Sequence, residues 1–101
     1  MNRLLQLTIL LSCMPAAANA GTMVASHYRA KVAHVAAHRT LPIGTRLIVR
    51  NPRNGRSAHV VIGDRGPFIR GRSLDISNVV ASQLGFGRSG VMSLQTRVVR
   101  K

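Results

Sequence analysis

Apolar and polar positions alternate over short stretches that divide the chain into brief elements. Thr45–Asn51 sets Leu47 and Val49 against Arg46, Ile48 and Arg50, the pattern of a half-buried strand. Asn51–Gly55 follows as a tight turn, with Asn54-Gly55 the strongest short hairpin signal in the chain. Arg56–Gly63 then supplies the return strand. Val91–Val99 is a last strand, with Met92, Leu94 and Thr96 on one face and Val91, Ser93 and Gln95 on the other. Ala25–Tyr28 and Arg72–Ile76 are shorter strands, and Ala30–Ala37 fits helix and strand alike. Leu41–Gly44 is a turn, and Asp64–Gly71 is a loop punctuated by Gly66, Pro67 and Gly71. Ser77 is placed to N-cap a helix over Asn78–Leu84, which Gly85 ends. Short strands, tight turns and one brief helix predict a mainly β fold, a small barrel or sandwich.

The first twenty residues carry a different pattern. Arg3 precedes an apolar run from Leu4 to Leu11, Pro15 breaks it, and Ala18-Asn19-Ala20 is a small-x-small cleavage site. This order predicts a signal peptide over residues 1–20 and a domain over residues 21–101. The run is too short to span a membrane, which takes about 20 apolar residues. Leu10-Leu11-Ser12-Cys13 also resembles a lipobox, which makes Cys13 a lipidation candidate. Either route exports the chain to the periplasm or cell envelope, membrane-anchored only if Cys13 is lipidated.

Composition narrows the chemistry. The 101 residues suit one small domain. A single cysteine permits no internal disulfide, and with four histidines it excludes a Cys-rich zinc module. Asp64 and Asp75 are the only acids, so carboxylate chemistry has two candidates and a triad of acidic metal ligands is impossible. His34 and His38 have helical i,i+4 spacing, with His27 as a third nitrogen, but no thiolate or acid supports them. No metal and no cofactor are expected.

Fifteen Lys and Arg face the two acids, a net charge of +13, and only Arg3 lies in the predicted leader. A chain this basic binds polyanions. Nucleic acid is not the expected partner. Tyr28, Phe68 and Phe86 are too few for a stacking platform, no basic helix suits a major groove, and export removes the target.

Five stretches carry a longer pattern: Ala25-Ser26-His27-Tyr28-Arg29, Ala36 to Thr45 (AHRTLPIGT after Ala36), Asn51 to Arg56, Asp64 to Phe68 (DRGPF) and Leu74 to Ser77 (LDIS). In this order and spacing they resemble the rare lipoprotein A family of bacterial envelope proteins, over about Ala25 to Val99. The resemblance implies a six-stranded double-psi β-barrel, here with one segment shortened. It implies an endolytic lytic transglycosylase of peptidoglycan. Such enzymes cut the MurNAc–GlcNAc β-1,4 bond and leave 1,6-anhydro-MurNAc ends. Peptidoglycan glycan strands are then the partner, with cell-division proteins as further candidates. Asp64 and His38 are the implied catalytic residues. One acid/base can protonate the leaving oxygen and deprotonate the C6 hydroxyl in turn, and no water nucleophile is needed. Arg65 beside Asp64 opposes the raised pKa a donor requires, if its side chain points inward. Arg39, Arg65 and Arg70 suit the lactyl or peptide carboxylates of the substrate, and Tyr28 joins them as a substrate-binding residue.

Each of these residues has a plainer role open to it. Asp64 can hold its own loop through the backbone two residues on. Asp75 can pair with an arginine or cap the following helix. His38 can be a satisfied, half-buried histidine. The chain also departs from the family pattern. Nine residues, Arg29–Ala37, separate Tyr28 from His38, where the family carries a longer block with a glutamate. His27 stands where the family has tryptophan. A non-catalytic, cationic peptidoglycan-binding module is therefore the alternative, and a protein acting through charge alone is a third reading. Loss of a segment also predicts an open barrel edge, and with it low stability or dimerisation.

Overall fold

In a computed structural model, the described residues are 20–99. The predicted leader and Cys13 lie outside them, apart from Ala20. Six strands and one helix follow in chain order: β1 (Ala20–Tyr28), β2 (Val35–His38), β3 (Arg46–Arg50), β4 (Ser57–Asp64), β5 (Leu74–Ser77), α1 (Asn78–Leu84) and β6 (Val91–Val99). The strands close into a barrel in the order β1-β5-β2-β4-β3-β6. This is the mainly β, six-stranded barrel with one short helix that was expected.

Two of the pairings are parallel, β1 with β5 and β2 with β4, and the rest are antiparallel. Alternation decides what fills the interior. Leu47 and Val49 of β3, Val60 and Ile62 of β4, Leu74 and Ile76 of β5, and Leu94 of β6 are all buried. Val80, Ala81 and Leu84 of α1 and the following Phe86 join the same cluster. Each fully buried Leu, Ile or Val contributes about 1.5–3 kcal/mol relative to exposure.

The expectation of an open edge is wrong. Every strand has a neighbour on both sides, so the short Arg29–Ala37 connection costs no strand. The prediction of dimerisation or low stability loses its basis with it. Residues 31–34 bend and turn, and only Val35–His38 is extended. His34 and His38 therefore do not share a helix face.

Strand β1 begins at Ala20, five residues before the predicted Ala25. Gly21 and Thr22 carry little strand signal, but β6 supplies a ladder from Ala20↔Arg97 to Ser26↔Val91. The β3–β4 hairpin forms as predicted, with Arg50 opposite Ser57. Its turn is longer than an Asn-Gly pair alone would make. Asn51 N–H donates to Arg56 O at 2.8 Å, and only Gly55, not Asn54, has positive φ.

Helix α1 has the predicted caps. Ser77 Oγ accepts from Val80 N, and Gly85 is left-handed at φ 81°. The hairpin turn packs against the other end of this helix. Asn51 Nδ2 donates to Leu84 O at 2.7 Å, Asn54 Nδ2 to the same oxygen at 3.1 Å, and Arg56 Nη1 to Gln83 O at 3.5 Å. Asn51, Asn54 and Arg56 thus satisfy carbonyls that a helix end leaves free.

Candidate active site on the outer face of the barrel

The parallel β2–β4 ladder positions the candidate acid. Ala36 pairs with Ile62 but Ala37 pairs with Asp64, so Gly63 is bulged out of register. Gly63 has no room for a side chain, since a Cβ there would lie 2.8 Å from Val35 Cγ1. On its other side Ala37 pairs with Asp75 of β5, which in turn pairs with Ser26 of β1. Lateral neighbours share a face. Leu74 and Ile76 point into the core, so the row Asp64–Ala37–Asp75–Ser26 lies on the outside.

Asp75 is half-buried, and its Oδ1 accepts a hydrogen bond from Ser26 Oγ at 2.9 Å. The expectation that it pairs with an arginine or caps α1 fails, because Ser26 holds it and Ser77 is the cap. Asp64 is exposed at the end of β4. Tyr28 lies two residues beyond Ser26 on the same face of β1. Its phenol is pushed above the usual range by burial first, then by the negative charge of Asp64 and Asp75. Tyr28 and Asp64 line one cleft of about 430 Å³.

His38 ends β2 one residue past Ala37, and its register partner is the inward-facing Leu74. Its Nδ1 accepts the backbone N–H of Thr40 at 3.1 Å and of Leu41 at 3.0 Å. The neutral ring therefore carries its proton on Nε2. Burial lowers the His38 pKa, and the charges of Arg39 and Arg65 lower it further. The side chain is thus neutral near pH 7 and offers an N–H donor. It is half-buried and satisfied, but only at one nitrogen.

The arginines divide. Arg65 Nη1 donates to the carbonyls of His38, at 3.1 Å, and Leu41, at 2.5 Å. It clamps the turn that fixes His38. Arg39 is exposed and reaches the site through its charge on His38. Arg70 sits on the exposed 69–71 turn, and among the described residues no hydrogen bond ties it to His38, Asp64 or Tyr28. The sequence reading missed Arg29 and Lys31, which line the cleft with Tyr28 and Asp64. The available signal was their place directly after Tyr28, in the shortened connection. Phe68, four residues after Asp64, is 75% exposed. Among the described residues no three His, Cys, Asp or Glu side chains converge to hold a metal. His27 instead bridges β1 to the α1 region. Its Nε2 lies 3.2 Å from Ser89 O and its Nδ1 2.6 Å from Asn78 Oδ1, and its ring meets Phe86 edge-on at 5.5 Å.

A family model described as lytic transglycolase matches residues 18–96, most of the chain. The chain belongs to the lytic transglycolase family. Over 67 residues, 66% of this chain, it is 49% identical to a protein of Aquifex aeolicus and 54% identical to one of Nostoc sp., both named "Probable endolytic peptidoglycan transglycosylase RlpA". It is 40% identical over 67 residues to the endolytic peptidoglycan transglycosylase RlpA of Pasteurella multocida. The chain spans 30%, 18% and 23% of those relatives, so the shared part is this barrel domain. Solved structures agree on the fold, a double-psi β-barrel. An expansin of Clavibacter michiganensis superposes with a TM-score of 0.65 and 19% identity, over 81% of this chain and 51% of the expansin. Cerato-platanin 3 of M. perniciosa gives 0.62 and 14%, over 79% and 95%. Membership of the lytic transglycolase family thus agrees with the motif pattern around His38, Asp64 and Asp75.

Proposed function

We propose that this lytic transglycolase domain cleaves the MurNAc–GlcNAc β-1,4 bond of peptidoglycan, with Asp64 as acid and then base. The observation that carries the reading is the shared cleft of Tyr28 and Asp64, with a neutral His38 at the end of β2, the strand whose Ala37 pairs with Asp64. In the first half-step the Asp64 carboxyl gives its proton to the GlcNAc O4 as the bond to MurNAc C1 breaks. In the second, the MurNAc C6 hydroxyl attacks C1 and returns a proton to the Asp64 carboxylate. The product is a 1,6-anhydro ring, and no water is consumed. The His38 Nε2–H serves as an orienting donor, since Nδ1 is engaged by Thr40 and Leu41. Arg29 and Lys31 supply positive charge beside the cleft for substrate carboxylates.

The order of charged, apolar and small residues over 1–20 supports export to the envelope, where this substrate lies. Cell-division proteins as partners and lipidation at Cys13 belong to the same proposal.

A second reading is favoured by one observation. The 101 residues contain no glutamate, and Asp64 is the one acid lining the cleft. On that reading the domain grips glycan without cutting it. Mass spectrometry of products from peptide-stripped peptidoglycan separates the two. We expect anhydro-muramyl ends with the parent protein and none with Asp64→Asn. Glycan pulled down without any product would leave the binding module.

A further inference from the structure

Cations lie on both sides of this barrel, but its two aspartates lie on one. Both acids lie on the β4–β2–β5 side, in the row that forms the candidate active site. The strands opposite, β3 and β6, carry cations and no carboxylate. Leu47 and Val49 point inward, so Arg46, Ile48 and Arg50 face outward. Leu94 and Thr96 point inward, so Gln95 and Arg97 face outward. Register sets Ile48 beside Arg97 and Arg50 beside Gln95. The second row continues to Ser57 of β4 and Thr22 of β1.

Thr22, Ile48, Arg50, Ser57, Gln95 and Arg97 line a groove of about 530 Å³. Arg50 Nη1 donates to Gln95 Oε1 at 2.7 Å. That bond holds the guanidinium without neutralising it, because its partner is an amide. Arg97 is the register partner of Ile48 and lines the same groove. The hydroxyls of Thr22 and Ser57 add uncharged donors. Two guanidinium groups, one pre-oriented, over an apolar floor match the oxygens of a phosphate. None of Tyr28, Phe68 and Phe86 lines the groove, so it offers no platform for bases. Its concave form suits a threaded chain better than the flat surface of a bilayer.

We propose that this groove binds the phosphodiester backbone of a linear, base-free anionic polymer. The site is separate from the Tyr28–Asp64 cleft and independent of any glycan chemistry there. It would hold the domain on a phosphate-bearing matrix while the opposite face stays free.

The test uses the full chain with poly(glycerol phosphate) as probe, at about 0.15 M salt, where unspecific long-range attraction is screened. Arg50→Gln/Arg97→Gln should weaken binding at least about tenfold. Arg53→Gln/Arg88→Gln, which removes the same charge from two exposed loops, should change it less than about twofold. Amide NMR shifts on titrating the parent protein should centre on Arg50, Gln95 and Arg97, a readout that needs no variant to fold. Equal losses in the two double variants would overturn the proposal in favour of diffuse charge. Equally tight binding of poly-glutamate, or binding to phosphatidylglycerol vesicles alone, would overturn it as well.

Discussion

Asn51 makes the sharpest test of how this fold is held together. Its side chain is 1% exposed and makes two hydrogen bonds. Nδ2 donates to Leu84 O at 2.7 Å, and Oδ1 accepts from Arg53 N at 2.9 Å. Asn51→Ala removes both, at a net cost of about 0.5–1.5 kcal/mol each. Leu84 O keeps a weaker donor in Asn54 Nδ2 at 3.1 Å, so its desolvation is partly compensated. The Arg53 N–H keeps no partner on the turn, and the truncated side chain leaves a small void in a closed core. The sum is about 2–4 kcal/mol. For a domain of this size that lowers the melting temperature by about 10–25 °C. Circular dichroism melts with a urea titration measure it. Asn54→Ala, at an exposed position, should cost only about 1 kcal/mol. If Asn51→Ala stayed within about 1 kcal/mol of the parent but lost glycan binding, the reasoning would be refuted, and Asn51–Arg56 would be a ligand-binding motif instead of a helix clamp.

Three further outcomes follow from the same geometry. Gly85→Ala should destabilise by about 1–3 kcal/mol, because φ is 81° and a Cβ would lie 2.6 Å from Asn54 Nδ2; an unchanged urea midpoint would contradict this. Arg65→Ala should quicken hydrogen exchange at the Thr40 and Leu41 amides, since the clamp on the His38 and Leu41 carbonyls is gone, while Arg70→Ala should leave both rates alone; equal rates in both variants would remove the clamp from the account. His38 should titrate below its ordinary 6.5 by NMR. A base whose pKa is lowered on folding favours the folded state only while neutral. Its contribution is therefore full above about pH 6.5 and is lost as pH falls through the folded pKa, and a midpoint at or above 6.5 would mean that burial and the charges of Arg39 and Arg65 do not act on His38 as described.

The local features were legible in the order of residues alone. Alternation of Leu47 and Val49 with arginines placed β3, and Ser77 and Gly85 marked both ends of α1. Such signals are legible because they depend on which face is buried and on which residues tolerate a cap or a positive φ, all within a few positions. The ordered motifs pointed to the family and to His38, Asp64 and Tyr28 as a group. Tertiary structure alone decided the rest. The parallel partners of β1 and β2, the extension of β1 to Ala20 and the closure of the barrel depend on strands far apart in the chain. So do the Ser26–Asp75 bond and the Asn51–Leu84 bond, which span 49 and 33 positions. The role of each arginine was hidden for the same reason. A flexible cationic side chain reads alike at every position, until the fold sets Arg65 on two carbonyls, Arg29 in a cleft with a carboxylate, and Arg50 and Arg97 in a groove lined by no carboxylate among the described residues.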